Sequence, residues 1–189
     1  MSCEIRLEAP CLLVAMPSLQ DPNFSRTVIL LTSHGDDGSL GFIVNRTLDA
    51  SVHQVLEGLG IHWQGDPDTP VWNGGPVTPQ SGWVLFGGDA EEAELLGAEE
   101  LVPGLHLSSS LDALRALADA PGPDFRLLLG YAGWGAQQLD GEVLRGDWLV
   151  MPVERGVFLG QPPESVWPMA YRVMGLHPGV IVPDCGVHA

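Results

Sequence analysis

The 189-residue chain contains no lysine: its eight basic residues are all arginine. That absence removes several mechanisms at once, because a Schiff-base amine, a Walker lysine and a lysine general base all need the missing residue. Positive charge is also scarce, with 24 acidic residues and a formal net charge of −16. Duplex DNA draws most of its non-specific binding from cations that displace phosphate counterions. The arginines nearest in sequence, Arg145 and Arg155, stand ten residues apart. No helix-turn-helix pattern is visible either, so a DNA-binding transcriptional regulator is disfavoured. The acidity itself speaks to solubility rather than to fold.

Cysteine is sparse. Cys3, Cys11 and Cys185 form no CxxC pair and no zinc-like spacing. An odd count without a framework indicates reduced thiols and a cytoplasmic setting. The segment Met1–Pro10 carries Glu4 and Glu8 and lacks the basic stretch of a secretory leader. The apolar run Cys11–Met16 is far too short to cross a bilayer. Neither export nor a membrane anchor is expected.

Catalytic signatures are missing as well. There is no GxGxxG behind a strand, no GxSxG elbow and no HExxH. Gly130, Gly133 and Gly135 run in the reverse rhythm of a dinucleotide loop. His34, His53, His62, His106, His177 and His188 show no i,i+3 or i,i+4 pairing, and surface or hydrogen-bonded roles are expected for them. The carboxylates between Gly87 and Glu100 lack the spacing of a calcium loop, so that stretch reads as a solvated, mobile surface segment. No metal, no cofactor and no catalytic residue is expected.

What is present suffices for a core, since apolar residues make up 45% of the chain. Leu12–Ala15 reads as a buried strand. Thr27–Thr32 and Leu40–Val44 read as a hairpin around a loop at 34–39. Val52, Val55, Leu56 and Leu59 fall on one helical face behind Ser51 as N-cap, with Gly60 as the stop. Val71-Trp72 and Trp83–Phe86 read as strands around a turn at 73–76, and Leu105–Leu107 as a further strand. Ser109 and Asp112 have capping-box spacing, before a helix whose Leu111, Leu114, Leu117 and Ala118 share a face. Burying those three leucines would stabilise the fold by roughly 1.5–3 kcal/mol each. Phe125–Tyr131 and Trp148–Val153 are strand candidates, and Gln137–Leu144 and Ser165–Met174 are helix candidates. Pro168 obscures where the last helix begins. The tail from His177 to Ala189 reads as loosely ordered. This mixture of hairpins and isolated helices predicts a single α+β domain over 1–189, with a mostly antiparallel, curved sheet.

Three local patterns stand out. The first is Ala15-Met16-Pro17-Ser18-Leu19-Gln20-Asp21-Pro22-Asn23-Phe24-Ser25-Arg26, continued by Gly41-Phe42-Ile43-Val44-Asn45-Arg46. The second is Gly74-Gly75-Pro76-Val77. The third is Gly130-Tyr131-Ala132-Gly133-Trp134-Gly135, followed by Gln138, Leu139, Glu142 and Trp148-Leu149. In this order they resemble the AlgH/YqgE family of bacterial proteins, from about Leu12 to about Leu176. Two positions depart from that pattern: Thr47 stands where proline is frequent, and Ala136-Gln137 where Pro-Gly is typical. The resemblance implies a cytosolic protein of unestablished activity, one branch of the family being named for regulation of alginate production. It also implies a bifurcated sheet curled into a pseudo-barrel with flanking helices.

Two functional expectations follow. One is a non-catalytic regulatory or interaction module with a protein partner. The other is a protein that binds a small anion, with enzymatic activity left open. Arg26, before one hairpin strand, and Arg46 with Asn45, after the other, can meet at one end of the sheet and grip a phosphate or carboxylate. The alternative is that each arginine pairs with an acid such as Asp21 or Asp49. Gly74 and Gly75 suit either an anion-binding nest or a turn needing positive φ. Tyr131, Trp134, Gln138 and Glu142 suit either a pocket wall or core packing, and Gln138 and Glu142 share a helix face. Cys11 is expected to be a buried, inert thiol.

Overall fold

The structure, a computed structural model, describes residues 7–179. The tail expected to be loose falls largely outside these residues, as do Cys3, Cys185 and His188.

Strand β1 (Cys11–Ala15) is buried at every position. Its alternation sends Leu12 and Val14 into one apolar cluster and Cys11, Leu13 and Ala15 into another. An unbroken apolar run is what a strand covered on both faces requires. Burial pushes the Cys11 thiol up to about 11, so at neutral pH it stays protonated and unreactive.

Strands β2 (Val28–Gly35) and β3 (Gly38–Ile43) form the expected hairpin. Only Asp36-Asp37 makes the turn, not the whole of 34–39, because the ladder continues through His34–Ser39 and Gly35–Gly38. Strand β4 (Thr47–Ser51) follows and pairs with β5 (Pro70–Asn73). The sequence did not predict β4, since its residues are largely exposed and show no apolar alternation. Helix α1 (Val52–Gly58) lies between them, started by a complete capping box of Ser51 and Gln54.

The next elements are β6 (Val77–Gly87), α2 (Ala90–Leu95), β7 (Glu99–Val102), β8 (Leu105–Ser108) and α3 (Leu111–Asp119). Elements α2 and β7 correct the expectation of a featureless acidic segment. Asp89 caps α2, Glu91 and Glu92 sit in its first turn, and Ala93 is buried. Anionic side chains favour a helix N-terminus, so the acidity that suggested a solvated loop is suited to a helix start. Ser110 caps α3, not Ser109: its Oγ accepts from the Asp112 and Ala113 N–H groups at 3.2 and 3.4 Å.

The chain ends with β9 (Arg126–Trp134), α4 (Gln138–Arg145), β10 (Trp148–Met151), α5 (Arg155–Phe158) and α6 (Pro163–Val173). Helix α6 starts two residues before the expected Ser165, with Pro163 in its first turn, and continues past Pro168. Its Trp167 indole and Tyr171 hydroxyl both donate to the Ala15 carbonyl, at 2.8 and 3.0 Å. That fastens α6 over β1.

The strands run β10-β1-β2-β3-β9-β6-β8-β7 in one curled α+β sheet of half-barrel form, with β4 and β5 branching off. Among the described residues the pairings are antiparallel except β5 with β9. The fork lies within β9. Residues 126–129 and, past a register shift, Tyr131 pair with β6, and Leu128 and Leu129 also pair with β5. Residues 132–134 turn away to β3.

The fork needs glycine. Gly130 has φ +71° and Gly75 has φ +150°, and a Cβ on either would overlap the other segment's backbone. We predict that Gly130→Ala lowers unfolding stability by at least about 3 kcal/mol, through strain and overlap together. Gly141→Ala serves as control, because a Cβ there meets only the Arg145 Nη1 at 3.7 Å. It should raise stability by about 0.5–1 kcal/mol through helix propensity. Urea denaturation of both variants checks the pair.

Candidate functional site

The loop between β1 and β2 is held by its neighbours. Asn45 is buried, 9% exposed. Its Oδ1 accepts from the Val28 N–H and its Nδ2 donates to the Arg26 carbonyl, both at 2.9 Å. Arg46 reaches back across the same loop. Its Nη1 donates to the Pro22 and Asn23 carbonyls at 3.1 and 2.7 Å, and its Nη2 to the Ser25 carbonyl at 2.8 Å. Partial burial pulls its pKa below the ordinary arginine value, and Asp21 nearby pulls the other way. Three guanidinium N–H bonds to backbone make Arg46 a clamp on residues 22–25.

The clamp presents Arg26. This residue is exposed and sits at φ +56°, a conformation that costs a side-chain-bearing residue about 1 kcal/mol. Its guanidinium lies 5.5 Å from the centre of the Trp167 ring. Among the described residues no carboxylate forms an ion pair with Arg26 or Arg46. Both line a cleft of about 550 Å³ with Ser25, Asn45, Trp167 and Glu164. One face of the cleft is thus the clamped loop and the other the first turns of α6.

The remaining candidates lie elsewhere. Gly74 and Gly75 spend their N–H groups on the Leu129 carbonyl at 2.8 Å and the Asn73 Oδ1 at 3.1 Å. They serve close backbone approach at the β9 fork. Tyr131 and Trp134 line a separate shallow groove of about 510 Å³ beside Ser39. Gln138 and Glu142 lie along α4. Glu142 Oε2 accepts from the indoles of Trp134 and Trp148, each at 2.9 Å, and Oε1 accepts from Gln138 Nε2 at 3.0 Å. Phe24 packs against both tryptophans, at 6.3 and 5.9 Å between ring centres. The first and third sequence patterns therefore meet in one aromatic cluster organised by a carboxylate.

Two further groups escaped the sequence reading. Arg126 is 5% exposed. It donates to the Val44 carbonyl at 2.7 Å and to the Phe158 carbonyl. Its guanidinium lies 3.8 Å from the Trp72 ring centre. Burial lowers its pKa to about 10, with Asp124 pulling upwards. An arginine opening the apolar run Leu127–Leu129 was the available signal. His34 forms the second group: its Nδ1 lies 2.8 Å from Ser39 Oγ and its Nε2 3.4 Å from Asp140 Oδ1. The Gly135 N–H, at this end of β9, is already taken by Gln138 Oε1 at 3.0 Å. The ring thus ties the β2–β3 hairpin to α4.

A curled, forked antiparallel sheet with α4 and α6 on its two faces defines the class of protein. Its relatives narrow that class. The AlgH-like family model (DUF179) matches residues 12–179, and the chain belongs to this family. A UPF0301 protein of Myxococcus xanthus is 41% identical over 182 residues, covering 95% of this chain and 98% of that protein. One from Anaeromyxobacter dehalogenans strain 2CP-1 is 42% identical over 191 residues, covering 96% and 95%. The solution structure of AlgH from Pseudomonas aeruginosa superposes with a TM-score of 0.72 at 31% identity, over 98% of this chain and 100% of that one. The crystal structure of DIP2367 from Corynebacterium diphtheriae shares the fold, at 24% identity and a TM-score of 0.72 over 89% and 87%. None of these names states an activity.

Removing the Glu142 carboxylate tests the cluster. Glu142→Leu leaves two indole donors without their acceptor and should cost about 2–4 kcal/mol in urea unfolding. The Trp134 and Trp148 indole N–H resonances should move upfield together.

Proposed function

We propose that this chain is a regulatory binding module of the cytoplasm that takes a small anion in the Arg26 cleft. One observation carries this reading: on a protein of formal charge −16, two arginines that form no ion pair among the described residues line the same cleft, Arg46 with Asp21 nearby. Arg26 in particular is exposed and in no ion pair among the described residues, so its charge is available to a ligand.

The lining supports a ligand of low charge. Arg26 and Arg46 are opposed by Glu164, so the cleft favours about one negative charge. Trp167, Pro163 and Pro168 form an apolar wall that suits a hydrocarbon or ring attached to the anionic group. A carboxylate or phosphate monoester of modest size has that chemistry. Arg26 supplies the fork of donors such groups accept, and Arg46 adds charge while it holds the loop. Duplex DNA fits poorly, because the cationic site is local and the rest of the surface repels phosphate. Regulation would follow if occupancy of the cleft alters what a protein partner meets at this end of the sheet.

Thermal shift against carboxylates, phosphates and nucleotides is the first test, with calorimetry of any ligand found. The decisive variant is Arg26→Gly. It deletes the guanidinium, and glycine accepts the positive φ without strain. Binding should weaken at least tenfold while the unfolding midpoint holds or rises. A panel without response, or full binding by Arg26→Gly, would sink the proposal. Arg46→Ala is the structural contrast and should lose about 2 kcal/mol of stability with the three loop contacts.

A further inference from the structure

Two residues expected in the core are not in it. Leu59, at the end of the α1 face, is 54% exposed, and Leu111, at the start of the α3 face, is 45% exposed. The other predicted face positions do pack inward: Val52, Leu56, Leu114 and Ala118 are buried, and Val55 and Leu117 pack partly buried against them. The two exposed leucines stand on opposite helices above the same stretch of sheet, where β6 pairs with β9. Both line a cleft of about 480 Å³.

The floor of that cleft is open because of a glycine. Gly82 pairs with Leu129 across β6 and β9. Its φ lies outside the left-handed region, and a Cβ built there meets nothing nearer than Leu129 Cδ2 at 3.8 Å and Leu127 Cδ1 at 3.9 Å. Neither backbone conformation nor close packing of the chain on itself requires glycine at this position. A strand glycine marks a bulge or the close approach of something else; the β6–β9 register shifts between Val77 and Gly82, and the open space beside Gly82 also leaves room for a ligand. Here Leu129 lies half-buried at the base of the cleft, whereas Leu127 beside it is 1% exposed and belongs to the core.

The lining contains no charged residue, although the chain carries 24 acidic side chains. Its polar side chains are those of Gln80, Ser109 and Ser110. The Ser110 hydroxyl is occupied in capping α3. Gln80 and Ser109 make no side-chain hydrogen bond among the described residues, so they offer a donor and an acceptor at the rim. An ion entering this cleft would surrender hydration with no opposite charge to replace it. The volume, about 480 Å³, is that of a small-molecule site.

We propose that the cleft between α1 and α3 binds a neutral lipophilic small molecule, with an aliphatic or aromatic body over Gly82 and a hydrogen-bonding end at Gln80 and Ser109. This site is separate from the Arg26 cleft and stands whether or not that cleft binds an anion.

Nile red, a neutral fluorophore, serves as the probe, displaced in turn by n-decanol and by decanoate. The wild-type chain should bind it saturably, and n-decanol should displace it at least tenfold more effectively than the charged acid. Gly82→Leu fills the floor without touching the backbone and should weaken binding at least tenfold. Arg26→Gly should leave it unchanged. Should Gly82→Leu misfold by circular dichroism, the rim variants Leu59→Ser and Leu111→Ser replace it and should each weaken binding severalfold. No saturable binding by the wild type, equal binding by the filled or rim variants, or preference for decanoate would overturn the assignment. So would a wild-type dimer in sedimentation equilibrium that Gly82→Leu dissociates, because the cleft would then be an interface between copies.

Discussion

The contact between Gly75 and Gly130 decides the shape of this molecule. At that point two backbones lie so close that neither can carry a Cβ, and Gly130 holds a left-handed φ of +71°. The kink lets β9 serve β5 and most of β6 with residues 126–129, while past Gly130 only Tyr131 still meets β6 and residues 132–134 serve β3. A straight β9 would carry a single flat ladder, and α4 and α6 would lose their separate seats. From the fork outward the consequences are local. β3 turns towards α4 and the tryptophan cluster, whereas β6 stays with α1 and α3. The Arg26 cleft and the uncharged cleft over Gly82 therefore belong to different limbs of one sheet.

Charge is handled in a way the net value of −16 does not suggest. Arg126 and Arg46 are both spent on backbone carbonyls rather than on acids. Carbonyls at strand and loop ends need donors once they leave the ladder, and a guanidinium supplies several from one side chain. Arg126 adds its face to Trp72, which compensates part of the cost of burying a cation. Glu142 is the mirror case, an acid satisfied by indoles and an amide instead of by arginine. Arginines committed to such internal work are unavailable for surface ion pairs. Arg26, whose side chain is left outside this scheme, acquires its interest from that contrast.

The legible parts of the sequence were those decided by neighbours a few residues away. The unbroken apolar run of β1, the β2–β3 hairpin and the Ser51 cap are local features, and each formed as its residues indicated, the hairpin with a tighter turn than the 34–39 loop. The α+β class and the curved antiparallel sheet followed from their order. What stayed hidden depends on distant partners. Arg126 reaches Val44 across 82 residues and Phe158 across 32, and no local pattern distinguishes such an arginine from a surface one. β4 exists because β5 is there to pair with it. The acidic run at 87–100 misled because composition was weighed without position: the same carboxylates that solvate a loop also stabilise a helix start. Of the candidate site residues, Arg26, Asn45 and Arg46 converge, whereas the glycines and the Trp134–Glu142 group serve the fork and the aromatic cluster.

The clamped loop bears on how strongly a ligand could be held. A flexible loop that orders on binding surrenders roughly 1–2 kcal/mol per residue fixed, and a single arginine contact would be hard pressed to offset that loss. Residues 21–26 are already fixed from three sides. Asn45 holds the Arg26 carbonyl, Arg46 holds the carbonyls of Pro22, Asn23 and Ser25, and Phe24 is seated against Trp134 and Trp148. Only the Arg26 side chain remains to be ordered, and it already rests near Trp167. A ligand at the proposed site would therefore meet little ordering cost from the loop. The same rigidity links the cleft to the Glu142 cluster through Phe24, so a ligand that shifts the loop must also disturb two tryptophans on the opposite face of the sheet.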